Sequence, residues 1–248
     1  MLLFSACSTF VSGNPRLTGT ESLISQIEDD SSYYTKLAAA KELKQRLLMN
    51  RQVDRLLGFI DSDISPQIRI QIVDSLELAL AQRDDSALNQ HVRVSLHKTI
   101  PQIADEDVCH AAYGFLMDLT EDREEQLEYA LEFILENKHP KVRYWALRYI
   151  IDNGPTEDGA RRDEVLFAVH RTLKKENNAA VAEMASRELG RQIYRPSLET
   201  LEDISNSGEE RKFVTAKYDS VEGRVTHADV IAASIRYAEG IRFATGDL

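Results

Sequence analysis

Residues 56–76 read Leu56-Leu57-Gly58-Phe59-Ile60-Asp61-Ser62-Asp63-Ile64-Ser65-Pro66-Gln67-Ile68-Arg69-Ile70-Gln71-Ile72-Val73-Asp74-Ser75-Leu76. Two apolar runs flank a polar turn, and the second run opens on a proline. Pro66 suits the first turn of a helix, where its missing N–H leaves no bond unmade. From there Ile68, Ile72 and Leu76 recur every fourth residue, the spacing of one helical face. The stretch therefore predicts the end of one helix, a short turn and the start of a second.

The pattern returns. Leu131 to Ile150 carries Phe133 and Ile134, a polar turn, then Pro140-Lys141-Val142-Arg143 and apolar or small residues at Ala146 and Ile150. Weaker copies keep the same i, i+4, i+8 spacing at Thr35/Ala39/Leu43, Val108/Ala112/Leu116 and Val181/Ala185/Leu189. The five triplets begin at 35, 68, 108, 142 and 181, so they lie 33, 40, 34 and 39 residues apart. A fixed period of this length signals stacked supersecondary units, none of which can bury its apolar face alone. The small residue at the fourth position lets helix axes approach, and the eighth position carries a large aliphatic side chain.

These segments resemble HEAT repeats, chiefly through the two Pro-x-Ile/Val-Arg openings. The resemblance covers roughly residues 20–192. It implies an all-α, right-handed α-solenoid of about four to five helix pairs, with a C-terminal capping extension. First helices are expected near 51–61, 85–100, 121–137 and 159–176. An opening half-repeat is expected from Thr18 and Glu21, a capping-box pair ahead of Leu23, Ile24 and Ile27. Asn153-Gly154-Pro155 reads as a helix stop. The tetratricopeptide repeat, with a period of about 34 residues, ranks second because its Trp…Leu-Gly…Tyr pattern does not recur. A bundle without repeats ranks third.

Composition agrees with long helices and short connections. Hydrophobic residues make up 43% of the 248 and charged residues 29%, while Gly (11) and Pro (6) are too few for a turn-rich β fold. A net charge of −11 opposes contact with phosphate backbones, so general nucleic-acid binding is not expected. Two cysteines, Cys7 and Cys109, form no disulfide framework or zinc motif. Cys109 stands in an apolar helical run as a small hydrophobe.

The chain opens Met1-Leu2-Leu3-Phe4-Ser5-Ala6-Cys7-Ser8, which resembles the end of a bacterial lipoprotein signal, an apolar stretch closing on a small residue before a lipidated cysteine. Phe4 stands where leucine is usual, and the basic and most of the apolar parts of such a signal would have to lie upstream of Met1. Ser8 to Thr20 has the Ser, Thr and Gly content of a flexible tether. Residues 1–19 are accordingly expected to be a leader remnant and tether lipidated at Cys7. The implied location is a periplasm-facing lipoprotein of a bacterial envelope; the alternative is cytoplasmic. Residues 193–248 leave the repeat. Leu198, Leu201 and Ile204 allow a short amphipathic helix, and Val230, Ile231, Ile235, Ala238 and Ile241 a longer one opening at Thr226 to Asp229. This segment is expected either to cap the last repeat or to dock on a partner.

No common catalytic or cofactor motif occurs, and the six histidines are scattered. No cofactor, metal or catalytic residue is assigned. The paired acidic residues fall at predicted helix ends, where they cap N–H groups and oppose the helix dipole. In an array of this type the second helices line the concave face, and the residues six after each triplet start would share a row: Lys41, Asp74, Gly114, Arg148 and Arg187. Lys41, Arg148 and Arg187, with Tyr144 beside them, are the candidate partner-binding residues. Trp145 and Tyr149 are expected in the core, on a stripe with Val142, Ala146 and Ile150. Arg69 and Arg143 match the family's repeat-joining arginine. Asp61 or Asp63 could serve Arg69, whereas no acid stands at the equivalent place before Arg143.

The expected function is a non-catalytic scaffold for another protein or peptide, with an acidic segment as the favoured chemistry. Membrane contact would come only through the lipid at Cys7. The alternatives are an enzyme on the same fold, such as the bilin lyases or alkyl-base DNA glycosylases, or a structural subunit of an envelope complex. A glycosylase needs a cationic, aromatic-lined groove, against which the −11 charge argues.

Overall fold

The computed structural model describes residues 19–29, 31–83, 85–155 and 159–192. Cys7 with its leader and tether, and the extension from 193 to 248, lie outside the described residues. Within them the protein is all-helical: ten α-helices and no β-strand. They are α1 (Thr20–Glu28), α2 (Tyr33–Leu43), α3 (Asn50–Ile60), α4 (Pro66–Ala81), α5 (Ser86–Thr99), α6 (Glu106–Asp118), α7 (Arg123–Glu136), α8 (Pro140–Asn153), α9 (Ala160–Lys175) and α10 (Ala179–Arg191). A single 3-10 turn, Ile100–Gln102, follows α5.

The chain divides into two compact units, residues 1–115 and 116–248, with the boundary inside α6. In the first unit α1 packs on α2 and α3, α2 on α4, and α3 on α4 and α5. In the second, α7 packs on α8 and α9, α8 on α10, and α9 on α10. Within the units α1, α3, α7 and α9 thus each pack on the helix that follows, and helices also pack on the next but one.

Local chemistry sets the helix ends. Pro66 and Pro140 occupy the first turns of α4 and α8. Asp85 accepts from the Leu88 N–H at 3.0 Å and Asp122 from the Glu124 N–H at 2.9 Å, so these acids cap helices. α1 begins after Gly19, with no side-chain cap bond there, one residue later than a Thr18 cap would place it. α1 packs on α2, so the opening segment supplies a helix pair. α8 stops at Gly154, whose N–H reaches the Ile150 carbonyl at 2.7 Å. A Cβ at this position would lie 2.5 Å from that oxygen, so only glycine fits.

The repeated triplets form the core. Ala39, Leu43, Ile68, Ile72, Leu76, Val108, Ala112, Leu116, Val142, Ala146, Ile150, Val181, Ala185 and Leu189 are all buried. Thr35 is the exception: it is exposed in the first turn of α2, where its N–H is capped by the Ser32 hydroxyl at 3.3 Å. Cys109 is buried, its S–H directed at the Ile100 carbonyl 3.4 Å away.

Within each unit, helices of like parity share apolar contacts and a few polar bonds. Between even helices the buried Ser75 hydroxyl donates to the Ala40 carbonyl at 3.1 Å, and between odd helices the buried Thr172 hydroxyl donates to the Ile134 carbonyl at 3.2 Å. The odd helices add ion pairs at their surface. Arg55 reaches Glu21 and Glu28 from α3 to α1, and Arg161 reaches Glu124 and Glu128 from α9 to α7. The Gln52 amide, with Arg51 and Arg55, holds the Glu21 carboxyl below its usual range.

Ala146 has no exposed surface. Ala146→Leu should therefore overpack the second unit and destabilise it by about 1–3 kcal/mol, read as a lower denaturant midpoint. An unchanged midpoint would mean that the helices are not pressed together at this position.

Candidate functional site

At about 100° per residue, positions 141, 145, 148 and 152 of α8 lie on one side of the helix. That side is left open by α7 and α10. Trp145 is 42% exposed there, and the Arg148 side chain 50%. The equivalent positions of α10, three and six residues after Val181, are Met184, half-buried, and Arg187, whose side chain is 67% exposed. Since α8 packs on α10, two neighbouring helices present an apolar side chain followed by a guanidinium.

This placement corrects the expectation for the aromatic residues. Trp145 is exposed and Tyr144 is buried, the reverse of the sequence reading; Tyr149 is half-buried, its hydroxyl bonded to Gln126 Oε1 at 2.7 Å. The physical reason is the width of the buried sector. A helix held between two neighbours hides about half its circumference, and in α8 that half is Val142, Tyr144, Ala146, Leu147 and Ile150. A single four-residue stripe describes only one contact. Tyr144 still bears on the surface, since its ring meets the Trp145 ring edge-on, centroids 5.8 Å apart.

Electrostatics qualifies the role of the arginines. Arg148 Nε donates to Asp152 Oδ2 at 3.0 Å, and Arg187 pairs with Glu183 one turn away. The bond to Asp152, with its charge, raises the Arg148 pKa above its usual value, and Tyr144 adds to this. Each guanidinium thus has an acid on its own helix, and the surface is mixed in sign. Lys41 is exposed on α2, in the first unit. In that unit Asp74 takes a bond from Lys44 Nζ at 2.6 Å, tying α4 to the end of α2.

The two motif arginines serve packing. Arg143 makes a bidentate pair with Glu176, Nε to Oε2 at 2.7 Å and Nη2 to Oε1 at 2.6 Å, and donates through Nη1 to the Asn137 carbonyl at 2.8 Å. Glu176 also accepts from the Asn177 and Asn178 N–H groups that open α10. The acid missing before Arg143 is supplied by the turn of the following helix pair. Arg69 donates to the Ile60 carbonyl at 3.2 Å, and neither Asp61 nor Asp63 serves it.

His170 is buried on α9, and burial, with Lys174 adding its charge, pushes its pKa down. Asp118 is pushed up by burial. A crevice lined by Ile150, Gly154, Val165, Leu166 and Val169 has a volume of about 10 Å³, room for one water at most. Among the described residues no three His, Cys, Asp or Glu side chains come together to hold a metal, and no helix is long and apolar enough to cross a membrane. No protein-family model, curated protein or solved structure matches the chain.

Trp145 and Met184 are the surface residues that sequence reasoning missed. The signal was available: Trp145 precedes Arg148 by three residues, so the two must share a side of α8.

The Glu176 side chain is 1% exposed and that of Arg143 12%. Removing one partner leaves the other charge buried without compensation. Arg143→Ala should cost about 3–5 kcal/mol in unfolding free energy, whereas Arg143→Met with Glu176→Met should cost far less. Equal losses would mean the pair is valued for packing volume alone.

Proposed function

We propose that this chain is a non-catalytic scaffold of HEAT-like repeats that binds another protein, and that the α8–α10 surface is where its second unit does so. The observation that carries the reading is Trp145, a large aromatic side chain left 42% exposed beside Arg148 on a helix otherwise deeply packed. Trp and Arg are the residue types that dominate interface hot spots, and an exposed Trp gains most from being covered. The even triplet register supports the repeat assignment, as does the packing of each helix on the next but one within each unit.

The partner chemistry follows from the surface. An apolar side chain would cover Trp145 and Met184, and carboxylates spaced along an extended or helical segment would engage Arg148 and Arg187. These acids must displace Asp152 and Glu183, so charge acts on orientation and on-rate more than on affinity. The proposal includes a tether: a lipid at Cys7 holding the scaffold to a bacterial membrane from the periplasmic side.

The test is affinity capture from detergent-solubilised membranes with the full chain behind a secretory leader. Trp145→Ala, and separately Arg148→Glu with Arg187→Glu, should each weaken recovery of the captured protein at least tenfold. Helicity and melting temperature should stay unchanged, since these side chains are exposed. Unaltered capture by all variants would remove the surface from the proposal. Cys7→Ser should in turn move the protein from the membrane to the soluble fraction, because acyl burial contributes about 0.8 kcal/mol per CH₂. An unmoved protein would remove the tether and leave the surface standing.

A further inference from the structure

α9 packs on α7 and α10. At about 100° per residue, its positions 160, 164, 167, 171, 174 and 175 fall on one side of the helix, and all six are exposed. Phe167 stands at the middle of this stripe with 53% of its surface exposed, whereas Phe115 and Phe133 are buried. Covering such a ring removes a large apolar surface from water.

The stripe is acidic toward one end and basic toward the other. Asp163 in the first turn and Lys174 and Lys175 in the last ease the helix dipole, which accounts for them. Glu164 and Arg171 lie outside those turns, where the dipole's influence has fallen away. Their charges flank Phe167, three residues before it and four after. Arg171 also differs from Arg148 and Arg187, each of which has an acid one turn away on its own helix. One turn from Arg171 stand Phe167, Ala168, Lys174 and Lys175, and it meets no carboxylate among the described residues.

An acid, an aromatic ring and a base along one face are complementary to the same face turned end for end. Along the axis about 4.5 Å separates Glu164 from Phe167, and about 6 Å separates Phe167 from Arg171. Antiparallel apposition of two such helices sets Glu164 of each copy against Arg171 of the other and covers both phenyl rings at the centre. A parallel copy would set like charges together. Glu164 holds Arg161 through Oε2 at 2.7 Å, which leaves Oε1 for the second copy. Glu124 and Glu128, which meet Arg161 from α7, then lie toward Lys174 and Lys175 of the second copy. We infer that this chain forms a two-fold homodimer through the outer face of α9, with Phe167 at the axis and a Glu164–Arg171 ion pair on either side. The face shares no residue with Trp145, Arg148, Met184 and Arg187, so the dimer stands or falls apart from the proposed protein-binding surface.

The test is sedimentation equilibrium of the full chain carrying Cys7→Ser, which removes a disulfide at that cysteine as a cause of pairing. A monomer–dimer equilibrium is expected, weakened by added salt. Glu164→Arg and Arg171→Glu should each weaken it at least tenfold, since each sets like charges together at both contacts. Mixing the two variants should restore pairing, now between unlike chains, because every contact is again of opposite sign. Trp145→Ala should leave the equilibrium unchanged. Should either charge variant lose helicity, Phe167→Ala decides, with an expected loss of at least tenfold. A chain that stays monomeric up to about 1 mM would overturn the inference. So would a dimer indifferent to the single reversals or to Phe167→Ala, a mixture that does not pair, or a dimer lost with Trp145→Ala.

Discussion

An amphipathic helix with one apolar stripe is satisfied by one neighbour, but the even-numbered helices here carry apolar side chains around about half their circumference. Such a helix must be covered by its own partner and by a second even helix at once. In α8 the buried side chains Val142, Tyr144, Ala146, Leu147 and Ile150 span that half. From this demand follow the alanines at the fourth triplet position, where axes draw close, and the buried Ser75–Ala40 bond, made where two even helices meet. The Arg143–Glu176 pair follows too, joining one helix pair to the turn of the next.

Much of this was legible because helical periodicity is a local property. The spacing of Ile68, Ile72 and Leu76 and the placing of Pro66 and Pro140 fix elements without knowledge of distant residues, and the helices fall within one or two residues of expectation. Where a residue's surroundings come from elsewhere in the chain, reading failed. A single stripe passes near Trp145 and places it in the core, yet the neighbours that set the buried sector of α8 lie at positions the stripe does not encode. Arg143 looked unpartnered because its acid lies 33 residues later, across a turn whose path the sequence does not specify. The candidate surface was half legible: Arg148 and Arg187 are exposed as expected, while the ion pairs to Asp152 and Glu183 depend on rotamers.

Those ion pairs change what kind of binder the proposed surface would be. Two free guanidiniums on a chain of charge −11 would attract any acidic segment. Guanidiniums already held by an acid one turn away discriminate instead, because a newcomer must match both carboxylate geometry and the hydrophobic cover for Trp145 before it displaces what is there. On the proposed reading, specificity would be set by Trp145 and Met184, with charge trimming the approach.

The ion pairs along the odd helices have a mechanical consequence. Pulling either unit along its repeats loads an even seam and an odd seam together. Parting α2 from α4, or α8 from α10, exposes buried apolar surface, so that seam is stiff. Parting α1 from α3, or α7 from α9, first breaks ion pairs between Arg55 and Glu21 and Glu28, or between Arg161 and Glu124 and Glu128, whose carboxylates already meet water. Such pairs are worth little in water and are screened within about 10 Å at 0.1 M salt. Salt thus loosens the outer, charged part of each odd seam, while side chains buried on the same helices, such as Leu56 and Val169, stay covered.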